Sequence, residues 1–162
     1  MHTAQALDLF AFSHKQIIDL VTPIPDQRWA DQPHTIPNHP AWTLAHLTVG
    51  ISFGLEVLGK PALVPEPDWS ERFGGNSTPT PNRTDYPDRD TLINLFNQAH
   101  EQLAAEVNAT PPDAFNAQNP IEWVREYFPT VGHAIAYFMM AHEPHHYGQL
   151  TVWRRAAGLI PA

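Results

Sequence analysis

A chain of 162 residues suits one domain spanning 1–162, and its 43% hydrophobic content is ordinary for a soluble globular protein. Nine basic against 17 acidic side chains leave a formal charge of −8, which disfavours nucleic acid or an anionic membrane surface as a partner. Cysteine is absent, so disulfides, thiolate ligands and a cysteine nucleophile are excluded together, and His, Asp and Glu remain as the metal ligands available.

The first five residues show no basic segment leading into an apolar run, and no stretch is long and apolar enough to span a bilayer, so a cytoplasmic protein is expected. Over residues 4–21, Leu7, Phe10, Ile17, Ile18 and Val21 recur three and four apart with polar residues between them, which predicts an amphipathic helix. Pro23 and Pro25 end it, and a loop with one short turn over 26–30 follows. A second helix opens at Asn38 or His39 with Pro40 in its first turn and runs to Leu58. Apolar residues surround most of it, so it is expected to be central and to enclose His46.

Residues 61–87 carry Pro65, Pro67, Pro79 and Pro81 and no sustained periodicity, which predicts a long irregular loop, pinned by Trp69 and Phe73 across one end of the protein. Asp88 caps a third helix whose stripe is Leu92, Leu95, Phe96, Ala99, Leu103 and Val107. After a second irregular connection, Thr130 caps a fourth helix running to about residue 157. Its inner stripe reads Val131, Ala134, Ile135, Phe138, His142, His146, Gln149 and Trp153, with Gly158 as the C-terminal cap and Pro161 beyond. Four helices without strand-like alternation predict an all-α four-helix bundle with long connecting loops.

The chemistry concentrates in the fourth helix. His142 and His146, four apart, point into one space, while His145 lies at the margin of that face. Two imidazoles hold a metal poorly, so a third must come from elsewhere; His46 is the first candidate and His14 the reserve. Three neutral imidazoles suit zinc, nickel, copper or iron and leave the full charge of the ion in place, so a bound water would reach a pKa of about 7 or a bound thiol would be deprotonated. Of the 10 histidines, His2, His34 and His39 lie in loop-like sequence and read as bystanders. Glu143 reads as a carboxylate that orients an imidazole or lies on the surface, ahead of a general base.

His142-Glu143-Pro144-His145-His146 also matches the His-Glu-x-x-His signature of zinc proteases. The context opposes it: Pro144 sits inside the motif, no histidine follows His146, and no strand is evident beside the helix.

Three stretches together carry a family resemblance. They are residues 38–47 with Trp42 and His46; Trp69 through Phe73, Gly74 and Tyr86 to Leu92; and residues 129–158 with His142, His146, Gly148 and Gln149. In these the chain resembles the DinB-like superfamily of metal-binding four-helix bundles, which includes YfiT-like hydrolases and bacterial thiol S-transferases. The resemblance implies a single DinB-like domain with a divalent metal, zinc or nickel, on His46, His142 and His146. It also implies a homodimer acting on a small-molecule substrate, with a low-molecular-weight thiol as cosubstrate in some relatives. The expected function is therefore a metal-dependent thiol S-transferase or hydrolase. The alternative is a non-catalytic dimeric metal-binding bundle with a structural or sensory role.

Overall fold

The structure, a computed structural model, describes residues 3–159, so His2 and Pro161 lie outside the described part. Helices joined by turns and loops make up the described residues, with no strand among them and one isolated antiparallel bridge between Gln118 and Thr130. Helices α1 (Thr3–Val21), α2 (Pro40–Val57) and α4 (Arg89–Ala109) are the first three long helices expected; α3 (Trp69–Phe73) is a short helix within the long connection. The fourth long member is segmented: α5 (Val131–Tyr137) passes through a π-helical turn, Phe138–His142, into α6 (Glu143–Ala156). The architecture is an all-α bundle, as the periodicity predicts.

Local chemistry sets the helix ends. Asp88 accepts from Thr91 N–H at 2.9 Å and Thr130 from His133 N–H at 3.3 Å, each satisfying a donor that the first helical turn leaves free. Gly158, at φ 71°, turns the chain out of α6, and Arg154 donates to the carbonyls of Leu159 and Leu20. His39 is no bystander. It is fully buried at the N-cap of α2, where Nδ1 accepts from Trp42 N–H at 3.3 Å and Nε2 lies 2.9 Å from Thr80 O.

In α2 every residue except Val49, Phe53 and Glu56 is buried, because α4 covers one side and α5, the π turn and α6 another. Helix α1 closes the bundle against α4 and α6. Trp29 and Trp153 sit fully buried near the helix ends, with their indole N–H groups donating to Ile24 O at 3.0 Å and Asp31 O at 2.7 Å. A buried indole without such a partner would be costly.

Two expectations change. The connection over 61–87 is not without secondary structure: α3 and a 3-10 turn, Arg83–Asp85, lie within it, and Trp69 and Phe73 bury one face of α3 in the core. The fourth helix also widens rather than running straight. Pro144 has no N–H to offer Met140 O, and its ring would collide with that carbonyl in a regular α-helix; the wider π turn immediately before it makes room. The widened turn shifts the register, so Leu150 rather than Gln149 lies in the core, and Met139 and Glu143 join the buried face.

Candidate metal centre

Helix α2 carries His46 into the interior, 8% exposed, where its Nδ1 lies 2.7 Å from Phe73 O at the end of α3. A carbonyl can only accept, so Nδ1 carries the proton. In the neutral ring Nε2 then keeps its lone pair, the tautomer a metal ligand needs. Trp42, one turn earlier, stacks on the imidazole with ring centroids 4.5 Å apart and planes within 9°. The indole is itself fixed, since Nε1 donates to Ser77 Oγ at 2.9 Å and that hydroxyl donates to Gly74 O at 2.8 Å. The segment that looked irregular in sequence thus sets the orientation of His46 through a backbone carbonyl and an indole.

His142 closes the π turn, and its Nε2 lies 3.0 Å from His46 Nε2. It fits there because residue 50 is glycine: a Cβ at Gly50 would fall 2.7 Å from His142 Cε1 and 2.9 Å from Nδ1. His146 follows one turn on, with its ring centroid 4.7 Å from that of His46 and 4.8 Å from that of His142. One nitrogen from each of the three rings lies within 4.8 Å of the others, and among the described residues this is the one group of three or more such side chains that could hold a metal ion. Ligand nitrogens around a tetrahedral zinc are about 3.3 Å apart, so the donor set fits a divalent ion with small adjustments. Among the described residues His146 Nδ1 is buried without a hydrogen-bond partner, and an unmet imidazole nitrogen in such a group also suits a cation.

The other candidates lie elsewhere. His14 pairs with Asn97 Oδ1 at 2.9 Å and its ring lies 4.2 Å from that of His100 between α1 and α4, outside the group. His145 is exposed beside Gln149, 2.9 Å away, and His34 is exposed in a turn. Glu143 is neither on the surface nor in the group: it is fully buried against α1, with Oε2 2.6 Å from Ser13 Oγ and Oε1 without a partner among the described residues. Ser13 has one hydroxyl proton and two acceptors within reach, the other being Phe10 O at 3.0 Å, so a protonated Glu143 satisfies both contacts. Sequence spacing offered no signal for the Phe73 carbonyl or for Ser77. Gly50 was visible as a glycine inside a buried helix, which marks a close approach.

Burial sets the protonation states. It pushes His146 down to about 3, and His39 and His100 down to about 4, with the neighbouring imidazoles adding to the effect on His146 and His100. It lowers His14, His46 and His142 in the same direction and raises Glu143 to about 8 against the opposing Ser13 bond. In metal-free protein below pH 6.5 the unfolded chain binds more protons at these histidines, so their contribution is present above 6.5 and lost as pH falls. Glu143 acts oppositely: its contribution is complete below about pH 4.5 and is lost as pH rises through about 8. Six histidines outweigh one carboxyl in acid and their loss of stability fades only above 6.5, so the melting temperature with chelator present should peak between about pH 7 and 7.5, where the histidine effect and the onset of the Glu143 effect balance. In Glu143→Gln the alkaline fall should disappear; an unchanged alkaline fall would contradict a protonated Glu143.

A family model, that of the DinB superfamily, matches residues 9–150. No curated protein and no solved structure matches the chain.

Proposed function

Because the chain belongs to the DinB superfamily, we propose that it is a metal-dependent enzyme, a low-molecular-weight thiol S-transferase or a hydrolase, in which His46, His142 and His146 hold a divalent ion, zinc or nickel. The observation that carries this reading is the donor set: three buried imidazoles with His46 fixed in the ligating tautomer. Bound there without an anionic donor, the ion would supply Lewis acidity that favours the deprotonated form of a thiol or water. The protein's part is to hold the rings, exclude bulk water and keep the imidazoles neutral. Trp42 and Phe138 do the first two, lying against His46 and His142 respectively.

The same reading includes a homodimer in the cytoplasm acting on a small molecule, with neither nucleic acid nor membrane as partner. Leu9 and Phe12, 55% and 59% exposed on the outer face of α1, support an association surface. The acidic charge supports the absence of nucleic acid, and among the described residues no helix is long and apolar enough to cross a membrane.

The test is a panel of thiols, glutathione, bacillithiol, mycothiol and cysteine, with monochlorobimane as acceptor, alongside p-nitrophenyl ester hydrolysis. A rate that appears with zinc or nickel, disappears with chelator and is absent in His46→Ala supports the enzyme. No metal-dependent rate in either assay would leave the non-catalytic bundle with a structural or sensory metal. That second reading draws on the burial of the three imidazoles, none more than 8% exposed.

A further inference from the structure

Between α2, the segment after α3 and the 3-10 turn Glu122–Val124 lies a cleft of about 870 Å³, within the size range of sites for small organic molecules. It shares a wall with the three imidazoles. Phe138 lines it and meets the His142 ring edge-on at 5.6 Å; Ser77, which holds the indole stacked on His46, lines it too.

From Phe138 the lining continues as an aromatic surface. Phe53 lies 5.6 Å from the Trp123 ring and 5.7 Å from that of Phe138, forming one continuous surface. Trp123 and Tyr127 are 76% and 74% exposed although the segment carrying them is anchored, with Val124 buried and Arg125 donating to Asn119 O at 2.7 Å. Large rings held in place yet left in water mark a surface shaped for contact. The charge is one-sided: Glu56 and Glu71 are the only charged residues lining the cleft, and neither takes part in an ion pair among the described residues. Glu122 and Glu126 each precede one of the two exposed rings in the chain, and the cation between them, Arg125, lies outside the lining and donates to the carbonyls of Asn119 and Pro120. Aromatic faces beside carboxylates favour a cation and repel an anion.

We infer that this cleft binds a small aromatic molecule carrying a positive charge, its ring against Phe53, Trp123 and Phe138 and its ammonium toward Glu56 and Glu71. That the occupant is the substrate brought beside His142 rests on the proposed activity; the binding does not, because neither the rings nor the carboxylates belong to the histidine group. A thiol carrying carboxylates would enter this cleft against like charge.

The probes are 1-naphthylmethylammonium and its anionic counterpart 1-naphthylacetate, titrated calorimetrically at low ionic strength into chelator-treated and into zinc-loaded protein. The ammonium should bind at least about tenfold more tightly than the carboxylate in both forms. Trp123→Ala should weaken the ammonium about tenfold, and Glu56→Gln combined with Glu71→Gln should bring the two probes close to equal affinity. All three positions are exposed, so circular dichroism melts should stay at the parent's. Equal affinity of the two probes for the parent, or ammonium binding untouched by Trp123→Ala, overturns the inference. A failed conjugation assay leaves ammonium binding standing, and failed ammonium binding leaves the metal activity standing.

Discussion

Alanine at His46, His142 or His146 is expected to lower metal affinity by more than about 100-fold, since removing a partner that merely orients a ligand already costs 10- to 100-fold and here a ligand itself is lost. Elemental analysis after gel filtration should find one equivalent of zinc or nickel per chain in the parent and none in the three variants. Stoichiometric metal retained in any one of them sinks the trio. The same loss should appear in stability, because an ion that binds only the folded state adds about 4 kcal/mol when present at a thousand times its dissociation constant. Chelator should therefore lower the parent's melting temperature and leave each variant's unchanged. His46→Ala also strands Phe73 O, which His46 Nδ1–H now satisfies, so its metal-free form should melt lower for a reason unrelated to the ion. His142 has no such backbone partner in the described structure, which makes His142→Ala the cleaner reading of the metal effect.

Gly50→Ala is the second large effect, and it removes no ligand. A Cβ there would stand 2.7 Å from His142 Cε1 and 3.5 Å from Phe138 Cδ1, so the imidazole must move and the phenyl ring behind it leaves little room to retreat. Two forces oppose each other. Alanine inside a helix is worth about 1 kcal/mol more than glycine, whereas displacing His142 breaks the geometry shared with His46. The expected outcome is a metal-free protein that melts within a few degrees of the parent but binds zinc about 10- to 100-fold more weakly, as when a residue orienting a ligand is lost. Competition against a chelating dye measures it. Parent-like affinity in the variant would mean that α2 does not hold His142 in its ligating position.

Much of this centre was readable in the chain itself. His142 and His146 share a face because four residues nearly complete a helical turn, and that holds through α6 despite Pro144. The enclosure of His46 followed from apolar residues all round α2, and the caps at Asp88, Thr130 and Gly158 followed from short-range side-chain and backbone chemistry. The burial of Glu143 was not legible, because the π turn before it shifts the register by one residue and so turns Glu143 onto the face that packs against α1, where Ser13 meets it. The π turn was missed for a related reason: proline announces a lost hydrogen bond, but whether the helix kinks, stops or widens depends on what packs beside it.

By itself, then, the sequence determined the all-α bundle, the kind of donor available for a metal and the pair of imidazoles on the last helix, because hydrophobic period, proline punctuation and the absence of cysteine act locally along the chain. Only the tertiary structure decided how the third histidine meets the pair. His46 was the first candidate and His14 the reserve; packing commits His14 to Asn97 and brings His46 Nε2 within 3.0 Å of a ring 96 positions away. The packing of α2 against the π turn, which Gly50 permits, cannot be read from any one helix, because it is a property of two surfaces in contact.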